Sequence, residues 1–183
     1  MRKILSLLFF VLIGLSTAHS AVFLSKASAN WNSASTWSIT SGTDADGIPD
    51  SDDNVNINGR SVSCTSTASF RTLNITLTGT LVTNTSQLFA YGNINLQGTI
   101  NGNPIINYWS NATFNTNAPY THSGDWYIRG GNLTIPVGVT VSRNSNLIIS
   151  NGMSLINNGS VSTKSISLST SGSIVNGPNA VLT

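Results

Sequence analysis

The chain has 183 residues, few charges (8% Asp, Glu, Lys and Arg), a single cysteine and a formal net charge of +2. An intrachain disulfide is therefore excluded, and Cys64 reads as a small apolar core side chain. The basic residues outside the first three positions are Lys26, Arg60, Arg71, Arg129, Arg143 and Lys164, too scattered along the chain for a nucleic-acid-binding patch.

Residues 1–20 have the three parts of an export signal: Arg2 and Lys3, an apolar core from Ile4 to Gly14, and small residues around Ala18-His19-Ser20. Cleavage is expected after Ser20. The apolar core is well short of the ~20 residues that span a bilayer, and no later stretch is apolar enough, so no membrane span is predicted. Without Arg2 and Lys3, six basic side chains face six acidic ones. The expected location is extracellular or the cell surface.

Residues 21–53 read as an N-terminal cap with an acidic loop. A first strand is predicted at Val22–Leu24, followed by Trp31 and Trp37 with small polar residues between them. The two indoles can stack on a sugar or close the end of an apolar core, and the second reading fits the cap that a stacked β structure needs. Then Gly42 to Asn54 gathers five of the six acidic residues. Their mutual repulsion favours a bound divalent cation, and oxygen-only ligands at two-residue spacing around a turn-forming Gly47 suit calcium, with Asp44, Asp46, Asp50 and Asp53 as the candidate ligands. The competing reading is a solvated turn in which these Asp side chains cap backbone amides. One Cys and one His beyond the leader do not fit zinc.

From residue 54 to 183 apolar residues alternate in short pairs: Val55 and Ile57, Leu73 and Ile75, Ile94 and Leu96, Leu133 and Ile135, Leu147 and Ile149, Ile166 and Leu168. Leu73 to Ile94 is 21 residues, Ile94 to Leu133 is 39 and Leu147 to Ile166 is 19, whereas Leu133 to Leu147 is only 14. A period near 20 with two or three strands per period, and corners such as Asn58-Gly59, Gly92-Asn93, Asn101-Gly102, Asn151-Gly152 and Asn158-Gly159, predicts an all-β, single-domain, right-handed parallel β-helix. An antiparallel β-sandwich, with these dipeptides as hairpin turns, is the alternative. The body runs to Val181-Leu182-Thr183 without a polar terminating segment, which predicts continuation into, or stacking on, further solenoid.

Residues 103–129 depart from this rhythm and are expected to bulge as an aromatic insertion. Tyr108, Trp109, Tyr120, Trp126 and Tyr127 are candidate sugar-binding faces, with packing of the loop as the plainer reading. His122, Asp125 and Arg129 also approach here. With Asp125 the sole carboxylate beyond the acidic loop, an Asp125–Arg129 ion pair fits better than catalysis.

The series Asn30-Trp31, Thr36-Trp37-Ser38, Gly47-Ile48-Pro49 and Asp53-Asn54-Val55-Asn56-Ile57 resembles the N-terminal module of secreted surface proteins of the Bacteroidota kind, whose parallel β-helix opening is similar to that of the G8 domain. The resemblance implies a structural or adhesive role at the cell surface, with an extracellular polysaccharide as a candidate partner. Its alternative is the front portion of a carbohydrate-active protein, a polysaccharide-binding protein, lyase or glycosidase. The acidic loop is similar to thrombospondin type 3 calcium loops, with Asp44, Asp46, Gly47, Asp50 and Asp53 on matching positions.

Overall fold

The computed structural model describes residues 20–84 and 86–183, so the export-signal reading lies almost wholly outside the described residues. The predicted strand β1 (Val22–Ser25) is present, and it pairs antiparallel with β2 (Trp37–Ser41) after a single 3-10 turn at Ala34–Thr36. All later pairings are parallel. The alternation seen in the sequence becomes six successive triangular rungs, each of three strands. They are β3 (Asn54–Ile57), β4 (Ser61–Cys64) and β5 (Thr67–Phe70); β6 (Thr72–Ile75), β7 (Thr80–Thr83) and β8 (Gln87–Ala90); and β9 (Ile94–Leu96), β10 (Thr99–Asn101) and β11 (Ile105–Tyr108). Then come β12 (Ala112–Thr116), β13 (Tyr120–His122) and β14 (Trp126–Ile128); β15 (Leu133–Ile135), β16 (Thr140–Arg143) and β17 (Asn146–Ile149); and β18 (Ser154–Asn157), β19 (Ser160–Ser162) and β20 (Ser165–Leu168). A partial rung follows, with β21 (Ser173–Asn176) and β22 (Val181–Leu182).

The architecture is thus a parallel β-solenoid, and the antiparallel sandwich is not adopted. The first face runs β1-β3-β6-β9-β12-β15-β18-β21, and the third runs β5-β8-β11-β14-β17-β20. The second face is in two pieces, β4-β7-β10 and β13-β16-β19-β22, with no ladder between β10 and β13. Strands of two to five residues turn one apolar face inward, so Val55, Leu73, Ile94 and Phe114 stack in register, as do Ala68, Leu88, Ile106, Trp126 and Leu147. Each rung buries this face only against its neighbours, which is why the core is one continuous column.

On the outside, Asn95 donates to Asn74 and Asn74 to Asn56, a hydrogen-bonded amide ladder at 2.7 and 2.9 Å. Of the predicted Gly corners, Gly59, Gly102 and Gly152 take positive φ. Gly92 and Gly159 do not; there a Cβ would run into the carbonyls of Arg71 and Val139 in the preceding rung, so close approach is what requires glycine.

The tryptophans form the cap. Trp31 and Trp37 are buried, edge to face at 5.1 Å, with Phe23 and Phe70 beside them. Asn30 bridges to Ser63 in parallel, so residues 29–31 imitate a second-face strand above β4. The expected bulge at 103–129 is a correction. Those residues supply β11 to β14 in the regular stack, and the rings of Tyr108, Phe114, Tyr120 and Trp126 occupy inward places that smaller aliphatics fill elsewhere.

Candidate functional site

The acidic loop joins cap to body. Gly47 takes a positive φ of 73°, and the chain curls back so that one carboxylate oxygen each from Asp44, Asp50 and Asp53 lies within 4.8 Å of the others. This triad can hold a metal ion. Asp46, the fourth predicted ligand, stands outside it, and its Oδ1 accepts the Ile48 N–H at 2.8 Å in a local turn. Asp44 likewise accepts the amides of Asp46 and Gly47. The amide-capping reading and the cation reading therefore share the same loop.

Asp53 is the anchor of the triad. Only 2% exposed, it accepts the Ala21 N–H on Oδ1 at 2.7 Å and the Asp50 N–H on Oδ2 at 2.9 Å, while its carbonyl receives the Arg71 amide at 2.7 Å. Burial pushes its pKa up, partly offset by those two amides. Asp50 is pushed up to about 6, first by a hydrogen bond with the Asp52 side chain, then by burial and by the charges of Asp53 and Asp52. A divalent cation would relieve both shifts by favouring the ionised carboxylates.

The aromatic candidates divide. Tyr108, Tyr120 and Trp126 point into the core and are buried, so they offer no face to a ligand. Trp109, 41% exposed, and the half-buried Tyr127 remain outside, with the Arg129 guanidinium 5.7 Å from the Trp109 ring centroid and 4.4 Å from that of Tyr127. The expected Asp125–Arg129 ion pair is replaced by other partners. Arg129 Nε donates to Asn107 Oδ1 at 3.0 Å, and Asp125 Oδ1 accepts the Asn146 N–H at 2.9 Å in the next rung. His122 is buried, its Nε2 bonded to the Pro104 carbonyl, so His122, Asp125 and Arg129 do not converge.

The backbone stacks the residue that follows each third-face strand. Tyr91 N donates to the Phe70 carbonyl, Trp109 N to Ala90 and Arg129 N to Tyr108, giving a corner column Arg71, Tyr91, Trp109, Arg129 with successive rungs ~4.8 Å apart. Two or three residues further on, Asn93, Asn111 and Asn132 line a shallow groove of about 360 Å³ with Thr113, Thr134 and Ile156. Exposed rings, a guanidinium and a row of amides therefore share one edge of the solenoid. Tyr91, Arg129 and the three Asn were not singled out as binding residues in the sequence; the signal is their common offset after the third-face strand.

No family model, curated protein or solved structure matches the chain. No helix among the described residues is long and apolar enough to cross a membrane.

Proposed function

We propose that the chain is a secreted structural or adhesive cell-surface module that grips an extracellular polysaccharide along the corner bearing Tyr91, Trp109, Tyr127 and Arg129. The observation that carries this reading is the adjacency of that column to the Asn93-Asn111-Asn132 groove. Flat rings stack on the apolar faces of sugars, amides bond to hydroxyls, and Arg129 suits a uronate or sulfate group. The repeat of about 4.8 Å per rung presents these groups in a line, suited to an extended chain. The G8-like opening proposed from Asn30 to Ile57 fits the same role.

In this reading residues 1–20 are removed on export, and the nitrogen of Ala21, already seated 2.7 Å from Asp53 Oδ1, becomes an ammonium. Calcium at Asp44, Asp50 and Asp53 would tie the acidic loop to the cap. Oxygen-only ligands on a turn suit it better than magnesium, which demands a tighter octahedron. Affinity electrophoresis through gels of acidic and neutral polysaccharides tests the binding. The native protein is expected to be retarded, and a Trp109→Ala/Tyr127→Ala double variant to run free; equal migration of the two removes the adhesive reading.

A further inference from the structure

Where the second face is parted between β10 and β13, the core changes character. Arg143, on β16 directly beneath His122 in register, turns its side chain inward and is 4% exposed. Its Nη2 donates to the carbonyls of Gly124 (2.8 Å) and Asn146 (2.9 Å) and to Ser145 Oγ (3.1 Å). Its Nε and Nη1 have no partner, and neither do the indole Nε1 of Trp126 or the hydroxyl of Tyr108, all of them buried. The guanidinium lies over the Trp126 ring at 4.5 Å, and Tyr108 meets the same ring edge to face at 5.6 Å.

The polar neighbours cannot fill these bonds. His122 Nε2 must donate to the Pro104 carbonyl, which fixes Nδ1 as the acceptor of the Tyr120 O–H at 3.0 Å, so its lone pair is used. The imidazole is neutral, its pKa pushed down to about 4 by burial and by Arg143. Ser145 Oγ donates to Gly124, and Asp125 sends a carboxylate oxygen to the Asn146 amide. Burial draws Arg143 down to about 10, partly offset by Tyr108, Asp125 and Tyr120, which still leaves it charged at neutral pH. The unpartnered set is therefore N–H donors and one hydroxyl around a buried positive charge whose neighbouring carboxylate, Asp125, is bonded to the Asn146 amide, and what it lacks is an acceptor among them that also carries negative charge.

We propose that the solenoid interior binds a small inorganic anion of halide size against Arg143 Nε and Nη1, the Trp126 indole N–H and the Tyr108 hydroxyl. A monatomic anion can accept from several directions at once and needs little room in a close-packed core. Water would satisfy the donors but would leave the guanidinium charge offset only by Asp125, which makes no hydrogen bond to it, in a low-dielectric interior. The missing ladder between β10 and β13 supplies the path, since no sheet hydrogen bonds need break there.

The test uses the purified chain from Ala21 in sodium bromide, sodium chloride or sodium gluconate at one fixed ionic strength. Above its dissociation constant, a halide should raise Tm by about 3–5 °C for each tenfold increase in concentration. Trp126→Phe, which keeps the ring and removes one donor, should weaken the rise, and Arg143→Met should abolish it. Crystals in bromide should show an anomalous peak between the three side chains. A Tm independent of halide, the same rise in both variants, or only water density at these donors overturns the proposal. If neither variant folds, the anomalous map of the native protein decides alone.

Discussion

Replacing Asp53 with Asn tests how the cap is fastened to the first rung. The carboxylate holds two N–H groups, that of the fully buried Ala21 at 2.7 Å and that of the exposed Asp50 at 2.9 Å. In a chain that still carries residues before Ala21, the Ala21 nitrogen is an amide. The Asn amide can then accept only one of the two bonds and sets an NH2 against the other, at a cost of about 1–3 kcal/mol. In a chain that begins at Ala21 the nitrogen is an ammonium, and the same substitution leaves a buried charge unpaired, at about 3–5 kcal/mol. Four proteins, with and without the extension and with Asp or Asn at 53, unfolded in urea at fixed calcium, form a double-mutant cycle whose coupling energy is expected at about 2 kcal/mol. The N-terminus of each must be confirmed by mass spectrometry. An equal cost of Asp53→Asn in both backgrounds would refute an Ala21 ammonium seated on Asp53. Mass spectra of the exported protein test separately whether cleavage follows Ser20.

The acidic loop also predicts a pH signature. The folded pKa of Asp50 is raised to about 6, so this group adds stability at low pH that is lost as pH rises through 6, whereas His122, lowered to about 4, adds stability that is lost as pH falls below its unfolded value. The two oppose each other, so the readout is a difference: in chelator, Asp50→Asn should flatten the decline between pH 4 and 6. Millimolar calcium should raise Tm at pH 7 and steepen the gain toward neutral pH; a Tm that ignores calcium would count against the cation. In the cap, Trp31→Ala should cost about 3–5 kcal/mol, or roughly 6–20 °C in Tm, because the ring is buried against Trp37 and Phe70. Trp109→Ala, at an exposed position, should stay within about 0.5 kcal/mol, so a comparable loss in both would contradict the assignment of one tryptophan to the core and one to the surface.

The period carried most of the fold. Leu73 to Ile94 is a true rung interval on the first face and Leu147 to Ile166 is one on the third, whereas Ile94 to Leu133 spans two rungs but falls two residues out of register. The short interval from Leu133 to Leu147 is a step within one rung, from the first face to the third, and not a fault in the repeat. The aromatic rung was misread for a physical reason. Phe114, Tyr120 and Trp126 hold the same inward places as Leu and Ile elsewhere, and the five-residue β12 absorbs a two-residue slip, pairing Phe114 with Ile94 on one side and Ala112 with Leu133 on the other. Composition alone does not distinguish a ring filling a core layer from a ring on a loop.

The candidate binding edge was harder to read for a related reason. In a solenoid, residues about 20 apart become neighbours, so Tyr91, Trp109 and Arg129 form a column that no local window contains. Their common offset becomes visible only once the third-face strands Gln87–Ala90, Ile105–Tyr108 and Trp126–Ile128 are known. The acidic loop is the opposite case: its ligands are adjacent in sequence, and three of the four proposed do assemble. Asp46 does not join them, although its bond to the Ile48 amide is of the kind that Asp44 and Asp50 also make, two residues on, within the triad. Local sequence thus finds a site made by one turn, whereas a site made by stacking requires the register first.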